Sequence, residues 1–331
     1  MQDPVNTPLL EIRDLRVSFG TGDDAADAIC GIDLSLNAGE VLGIVGESGS
    51  GKSVTMMALM HLLPSSSRIS GSVRFQGQEL VGMSASEMTK LRGSRIGMIF
   101  QDPLTAFNPV LTIGQQIVEA LRLHDRSLSR KAALNRTIEL LAEVSIPQPD
   151  RRVHQYPHEF SGGMRQRAMI AMAIANRPVL LIADEPTTAL DVTVQAQIMD
   201  LLQKLREDLK IGMVLITHDL GVVAGAADQV AVMYSGRIVE RGAVRDVFRH
   251  SRHPYTRGLL GSLPKLNGGG GPLVAIEGMP PSLRNRPPGC AFRPRCLSAA
   301  CICAAEVPAL LPAGVVESAC HFSQALAENA A

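Results

Sequence analysis

The chain of 331 residues has no net charge, no long apolar run and no leader pattern at its start. Lysine plus arginine and aspartate plus glutamate each number 32, so no overall basic field attracts nucleic acid or anionic lipid. The longest apolar stretches, such as 168–175 and 179–183, are far shorter than the roughly 18 to 20 residues that span a bilayer. Residues 1–6 contain neither a basic nor an apolar segment of the secretory kind. We therefore expect a cytoplasmic protein that reaches a membrane only through partner proteins.

Cysteine is scarce over most of the chain and concentrated near its end. Five of the six cysteines lie in the last 42 residues, and in a reducing compartment such a cluster more often indicates metal than disulfides. The same region holds the glycine run 268–271 and many prolines, which predict a linker and loop-rich structure. We predict a main domain over residues 1–252 and an extension over 253–331.

The periodicity of the main domain predicts an α/β fold. Apolar and polar residues alternate over 9–19 and 32–36, which predicts two antiparallel strands. Amphipathic spacing from 113 to 144 predicts an all-helical insertion, placed at about 102–165. Short apolar runs separated by helical segments are typical of a parallel sheet with crossover helices. The predicted strands of that sheet are 41–45, 95–100, 179–182, 213–217 and 230–233, and the predicted helices include 168–176 and 193–209.

A complete phosphate-binding loop, Gly-Glu-Ser-Gly-Ser-Gly-Lys-Ser, follows the first of these parallel strands. Its glycines let several backbone N–H groups turn toward one anion at the start of a helix, and its lysine adds positive charge between two phosphates. Its last serine offers a hydroxyl to Mg²⁺. The alternative, a Gly/Ser-rich turn without a ligand, does not account for the full spacing. The candidate nucleotide-binding residues are Gly46, Ser48, Gly49, Ser50, Gly51, Lys52 and Ser53.

A carboxylate pair, Asp184-Glu185, follows the predicted strand 179–182. We expect both at the carboxyl end of that strand, beside the phosphate loop. Asp184 would orient Mg²⁺ through its waters, and Glu185 would polarise the attacking water. Such a pair alone is more often an ordinary helix N-terminus; the phosphate loop favours the catalytic interpretation.

A second anion-binding turn precedes the apolar helix near residue 170. Ser161, Gly162 and Gly163 leave free backbone N–H groups and the positive end of a helix dipole with little side chain in the way. In combination with the phosphate loop and the carboxylate pair, this turn resembles the signature of the ATP-binding subunits of ABC transporters. The resemblance implies an α/β P-loop NTPase fold with an antiparallel β subdomain, a helical insertion and a small cysteine-containing extension, and it implies ATP and Mg²⁺ as cofactors.

The resemblance assigns further roles. It implies a head-to-tail dimer in which Ser161, Gly162 and Gly163 contact the partner's ATP, and residues 188–191 match the loop that crosses the interface. Gln101 matches a glutamine that touches Mg²⁺ and links the core to the helical insertion. His218 matches a histidine that contacts the γ-phosphate and braces the catalytic glutamate. Phe19 lies where the family has an aromatic that stacks on adenine; a core position in its strand is the alternative.

The signature departs from the usual Leu-Ser-Gly-Gly-Gln at both ends, where this chain has Phe160 and Met164. A thioether cannot replace the hydrogen bonds of a glutamine amide, so the resemblance does not extend to a side-chain contact at position 164. The sequence 160–167 instead resembles the version of the oligopeptide/dipeptide/nickel branch of importers.

The extension resembles the same branch in segments 253–257, 278–283 and 289–296. Cys290, Cys296, Cys303 and Cys320 match its four cysteines, spaced C-x5-C-x6-C-x16-C, whereas Cys301 falls outside the pattern and His321 is not expected to be a ligand. Four soft thiolates suit a [4Fe–4S] cluster or tetrahedral zinc. The resemblance favours the cluster, with a structural role; zinc and free thiols are the alternatives.

The resulting hypothesis is the ATP-hydrolysing motor of a membrane importer, for di- or oligopeptides or, alternatively, nickel or another small solute. Its implied partners are a second ATPase subunit, two permease subunits and an extracytoplasmic substrate-binding protein, which places it peripherally on the cytoplasmic face of the membrane. The second ATPase could be a copy or, as is common in this branch, a related chain. A soluble ABC ATPase acting on nucleic acid or ribosomes is the distant alternative, since the chain has one phosphate loop and no basic tract. A purely regulatory module would predict loss of Lys52 or Glu185, and both are present.

Overall fold

A computed structural model describes residues 7–20, 22–188, 190–263 and 276–325. Its strands are β1 Leu10–Phe19, β2 Ala26–Leu36, β3 Val41–Val45, β4 Arg68–Phe75, β5 Gln78–Glu79, β6 Ile96–Ile99, β7 Leu180–Asp184, β8 Gly212–Thr217, β9 Gln229–Tyr234, β10 Arg237–Ala243, β11 Leu311–Ala313 and β12 Val316–Ser318. Its helices are α1 Lys52–Leu59, α2 Ala85–Leu91, α3 Pro103–Ala106, α4 Ile113–His124, α5 Arg130–Glu143, α6 Pro149–Arg152, α7 Gly162–Ile174, α8 Val192–Leu209, α9 Leu220–Ala226, α10 Val244–His250, α11 Pro254–Gly261 and α12 Ile302–Ala305. Short 3-10 turns lie at Gly22–Asp24, Pro157–Glu159, Leu283–Asn285 and Arg293–Arg295.

These residues form two compact units. The first unit takes the described residues within 1–36, 41–82 and 215–331, and the second takes 37–40 and those within 83–214. Strand β8 contributes its first three residues to the second unit and its last three to the first. The described part of the predicted extension, 253–263 and 276–325, therefore belongs to the first unit. The predicted glycine linker at 268–271 lies outside the described residues.

The first unit contains the predicted antiparallel strands. Strand β1 pairs with β2 and with β4, both antiparallel, and the strand order is β2-β1-β4-β5. Its apolar residues alternate with exposed ones, so one face of the strand is buried, as its sequence predicts. This confirms the antiparallel β subdomain.

A second group of strands in the first unit carries the phosphate loop. Strand β3 pairs in parallel with β9, and β9, β10, β12 and β11 follow as antiparallel neighbours. The five residues of β3 are all buried, as expected for a strand covered on both faces. The apolar core beside these strands includes residues of both the main domain and the extension, because Val45 and Tyr234 from the strands belong to one buried cluster with Tyr255 and Phe292.

The second unit contains the predicted helical insertion. Helices α4, α5 and α7 pack against one another, and they bury apolar positions such as Ile117, Leu121 and Leu141. Strands β6 and β7 pair in parallel. A capping box of Thr112 and Gln115 begins α4, and each of its two side chains bonds a backbone N–H at the helix start. The α/β class and the insertion are thus confirmed.

Within the parts of the chain that the structure describes, no helix has both the length and the apolar character required to cross a membrane.

Candidate functional site

The phosphate loop leaves β3 through a glycine that no other residue can replace without a shift. Gly46 has a φ of 156°, and a Cβ placed there would lie 2.2 Å from the carbonyl oxygen of Met233. The Lys52 ammonium donates to the carbonyl oxygens of Gly46, at 2.7 Å, and Glu47, at 3.0 Å. Its side chain is 5% exposed, so the lysine lies across the inside of the loop. This is the curled arrangement that a phosphate-binding loop requires.

The loop ends where α1 begins, and the helix start supplies its anion-binding end. Gly51 has a φ of 107° and precedes Lys52 and Ser53, the first two residues of α1. Ser48 and Gly49 are exposed at the tip of the loop, while Ser50 is buried. The Ser50 carbonyl accepts a 2.8 Å hydrogen bond from the backbone N–H of Gly236. All seven predicted residues of the loop therefore lie on one short segment whose backbone is anchored at its base.

Arg295 of the extension contacts Glu47, the one acidic residue of the loop. Sequence analysis did not predict this contact. The Glu47 carboxylate accepts two hydrogen bonds from the Arg295 guanidinium, at 2.6 and 2.9 Å. The Glu47 backbone N–H donates to the hydroxyl of Tyr255 at 2.8 Å. Glutamate beside a triphosphate is unfavourable unless a cation neutralises it, and this was the signal in the sequence that could have predicted a basic partner.

The predicted carboxylates lie in the second unit together with Gln101. Asp184 is the buried last residue of β7, and Glu185 follows it with a φ of 47°, which is uncommon for a residue other than glycine. One Glu185 carboxylate oxygen accepts hydrogen bonds from the Gln101 amide, at 3.1 Å, and from the Thr188 hydroxyl, at 2.8 Å. The structure thus brings Gln101 to the predicted catalytic base and adds Thr188 as a second residue that positions it. Ala189 of the predicted 188–191 loop lies outside the described residues.

The Ser-Gly-Gly turn forms the start of α7, also in the second unit. The Ser161 hydroxyl accepts a 3.3 Å hydrogen bond from the backbone N–H of Met164, so it caps the helix. Ser161 and Gly162 are exposed. A Cβ at Gly163 would lie 2.9 Å from a methyl group of Val194 on α8, which explains a glycine at this position. The turn presents backbone at an exposed helix N-terminus, as predicted.

His218 and Phe19 belong to the first unit. His218 is exposed directly after β8, and the next residue, Asp219, caps α9 by accepting a 2.7 Å hydrogen bond from the Gly221 N–H. Phe19 is the last residue of β1, pairs with Ala26 and is half-buried. Partial exposure leaves its ring available for stacking, which a fully buried core residue would not be.

The four predicted cysteine ligands face one small cavity of about 20 Å³ in the first unit, together with Phe292 and Phe322. Burial raises the pKa of the Cys290 and Cys296 thiols and raises that of Cys320 to about 11, so burial favours the neutral form of these three thiols. The donor chemistry suits a soft metal. The positions shown do not form a finished site, since no group of three or more cysteine, histidine, aspartate or glutamate side chains among the described residues is arranged to hold an ion.

Two other residues of the extension, Cys301 and His321, are outside this set. Cys301 is exposed and does not face the cavity. His321 lies at the cavity, where a ring nitrogen is 3.1 Å from the Glu306 carbonyl oxygen.

Two segments of the chain match models of known protein families. The family model "ABC transporter" matches residues 29–188, and the model "Oligopeptide/dipeptide transporter, C-terminal region" matches 239–303. The chain is 52% identical over 300 residues to the oligopeptide transport ATP-binding protein OppD of Salmonella typhimurium, covering 91% of this chain and 89% of that protein. It is 54% identical over 289 residues to OppD of Bacillus subtilis, covering 86% and 80%.

Two solved structures have the same fold. The ATP-binding cassette MJ0796, in a dimeric post-hydrolysis state bound to ADP and phosphate, aligns with a TM-score of 0.64 and 29% identity, over 71% of this chain and 99% of that one. The cassette cbiO1 of Clostridium perfringens, part of the transporter complex cbiONQ, aligns with a TM-score of 0.61 and 29% identity, over 73% and 90%. With the phosphate loop, signature turn and carboxylate pair in place, the chain belongs to the ABC transporter ATP-binding proteins, in the branch that carries the oligopeptide/dipeptide C-terminal region.

Proposed function

We propose that this chain is the ATP-hydrolysing motor of an importer for di- and oligopeptides. The observation that carries the proposal is the combination, in one chain, of a complete ABC ATPase with the C-terminal region of oligopeptide and dipeptide transporters. The names of the relatives, oligopeptide transport ATP-binding proteins at 52–54% identity, support the cargo class. The neutral net charge offers no support for a nucleic-acid partner.

The proposed chemistry is phosphoryl transfer to water. The backbone of residues 46–51 and the Lys52 ammonium hold the β- and γ-phosphates, and Phe19 stacks on the adenine. Ser53, Gln101 and Asp184 would hold Mg²⁺, directly or through its waters, and the ion would supply positive charge to the phosphate oxygens. Glu185 accepts a proton from the attacking water, and His218 contacts the γ-phosphate. The hydrogen bonds that Glu185 accepts from Gln101 and Thr188 support this role, because they fix a carboxylate oxygen in one orientation.

The signature turn acts on a nucleotide held by another subunit. Ser161, Gly162 and Gly163 present backbone N–H groups at a helix N-terminus, and Ser161 and Gly162 are exposed. In a head-to-tail dimer they contact the ATP of the partner ATPase, which we propose to be a related chain. The dimeric state named for the MJ0796 cassette supports this arrangement.

The residues after Gln101 are the proposed docking surface for the permease. Leu104 is 62% exposed and Val110 is 74% exposed, and both belong to the segment that leads from Gln101 into α4. Their exposure leaves two apolar side chains of this segment available for contact with another protein. Through this surface the chain joins two permease subunits at the cytoplasmic face of the membrane, and a separate extracytoplasmic protein binds the peptide.

The four cysteines of the extension hold the proposed [4Fe–4S] cluster, with zinc as the weaker alternative. Their shared cavity and soft thiol groups support a metal centre. Such a centre would cross-link a segment that has few apolar residues of its own. Cys290, Cys296, Cys303 and Cys320 would deprotonate to bind it.

Glu185→Gln tests the motor. The amide keeps the shape of the side chain but cannot accept the proton, so we expect turnover to fall by at least about 100-fold. Binding of ATP should persist and should lock the ATPase dimer, measured by light scattering of the complex with its partner subunits. Glu207→Gln, on the exposed face of α8, is the matched control and should hydrolyse ATP at the wild-type rate. Unchanged turnover in the Glu185 variant would remove this residue from its role.

A further inference from the structure

We propose that Arg295, in the C-terminal extension, is a positioning residue for ATP binding: it neutralises Glu47 and holds it away from the phosphates. The proposal goes beyond the motor function and rests on it only in requiring that the loop at 46–53 binds ATP. It assigns the extension a direct part in nucleotide affinity.

The geometry of the pair is the first argument. Both Arg295 terminal nitrogens donate to Glu47, one to each carboxylate oxygen, at 2.6 and 2.9 Å. The Arg295 side chain is 5% exposed, and its guanidinium also lies over the rings of Tyr234 and Phe292, at 5.9 and 5.8 Å from their centroids. A bidentate, buried arginine of this kind fixes both the charge and the orientation of its carboxylate.

The position of Glu47 is the second argument. Glu47 is the second residue of the loop, and its own carbonyl oxygen accepts a hydrogen bond from Lys52 at 3.0 Å. An unpaired carboxylate here would repel the phosphates that Lys52 attracts. Arg295 removes this repulsion, and Tyr255, whose hydroxyl accepts the Glu47 N–H, keeps the backbone of the same residue in place.

The extension also lies beside the loop at residues 280–283, and through Arg286 it contacts Ser235, next to a residue that bonds the loop. Residues 280–283 line a cavity of about 240 Å³ together with residues 47–50 of the loop. Arg286 donates to the Ser235 hydroxyl at 3.0 Å, and the adjacent Gly236 N–H donates to the Ser50 carbonyl. The ion pair of Arg295 with Glu47 is therefore one of several contacts by which the extension packs beside the loop.

The alternative is that Arg295 only stabilises the fold. In that case the removal of Arg295 lowers the stability of the fold, and removing the Glu47 charge as well does not restore ATP binding. If Arg295 acts through the charge of Glu47, the second substitution restores ATP binding. The two explanations therefore differ in the double variant.

The test measures binding of ATP with Mg²⁺ to the full chain, and turnover in the complex with its partner subunits. We expect Arg295→Ala to weaken ATP binding about tenfold, or about 1.4 kcal/mol. Its kcat at saturating ATP should change less than about twofold, because Arg295 does not touch the reacting groups and the loss falls on binding alone. In the double variant Glu47→Gln/Arg295→Ala, affinity should return to within about twofold of Glu47→Gln.

The control is Arg284→Ala, in the same extension. The Arg284 side chain is 73% exposed and forms a long ion pair, at 3.7 Å, with Asp24. The Arg284→Ala variant should bind ATP like the wild type. Wild-type affinity in Arg295→Ala, or equal weakness in the single and double variants, would overturn the inference. If the alanine variant does not fold, Arg295→Gln carries the test: it keeps a long side chain that can donate a hydrogen bond but removes the positive charge, and wild-type affinity would overturn the inference. Absence of ATP binding by the wild type itself, with no difference in Lys52→Ala, would instead overturn the proposed function.

Discussion

Replacing Glu240 by glutamine probes how the extension is attached to the sheet of the first unit. Glu240 lies on β10 with its side chain completely buried, at 0% exposure. Its carboxylate accepts hydrogen bonds from the backbone N–H groups of Arg252 and His253, just before α11, the helix that carries Tyr255. Burial raises the pKa of Glu240 above its ordinary value of 4.5, even though these donors favour the charged form.

The expected cost of Glu240→Gln depends on pH. The amide presents an NH₂ group to one of the backbone donors, so near pH 4.5 we expect a loss of about 1–3 kcal/mol of folding free energy. Because its pKa is raised in the folded state, the folded wild type keeps a proton that the unfolded chain has released. The stabilisation from Glu240 is thus fully present below pH 4.5 and is lost as pH rises through the folded pKa, by up to about 1.4 kcal/mol per pH unit. Glutamine does not titrate, so the penalty of the variant should shrink as pH rises.

Thermal unfolding of the full chain between pH 4.5 and 8 measures this effect. At roughly 2–4 °C per kcal/mol, the difference in melting temperature is readable. The control is Glu317→Gln, which breaks a half-exposed pair with Arg241 at 2.9 Å and should cost less than about 1 kcal/mol. A penalty for Glu240→Gln that grows or stays constant with rising pH would refute the raised pKa and the burial argument behind it.

Two further predictions concern the loop and the cysteines. Gly46→Ala should abolish ATP binding, since its Cβ would lie 2.2 Å from the Met233 carbonyl oxygen. Gly49→Ala should retain more of the ATP affinity despite its φ of 78°, because the space around the added atom is open. Equilibrium binding of ATP measures the difference, and equal affinities of the two variants would contradict the reasoning. Anaerobically purified full chain should show a broad absorbance near about 400 nm and carry iron and sulfide. Cys290→Ser should lose both and Cys301→Ser, outside the cavity, should keep them, while stoichiometric zinc in a colourless protein would contradict the cluster.

Much of the fold could be predicted because its signals are local. The alternation in β1, the apolar run of β3 and the Ser-Gly-Gly start of α7 each lie within a few residues, and the structure has each element at the predicted place. Helix α2 was missed although a local signal exists: Ser84 and Glu87 form a capping box at its start. Strands β11 and β12 are only three residues each, too short to show a period.

The parts of the site that could not be predicted depend on contacts between distant residues. Gln101 bonds Glu185 across 84 positions, and Arg295 reaches Glu47 across 248. Local motifs predict the element on which each of these residues lies, but no periodicity or spacing predicts which side chains contact each other. The cysteine spacing likewise gathers four thiols in one cavity, yet spacing alone does not fix the distances between their sulfur atoms.

The contact between Arg295 and Glu47 restricts how chains of this kind can exchange parts. A hybrid that joined this ATPase to a relative's tail would bring an uncompensated acid into the phosphate loop unless the new tail supplied a cation at the same place. Conversely, moving this tail onto a loop without an acid would bury an arginine that has no counter-ion, which is costly. We therefore expect the two positions to vary together among related proteins, and tail exchange to succeed when the residues at positions 47 and 295 of the hybrid still form a charge-matched pair.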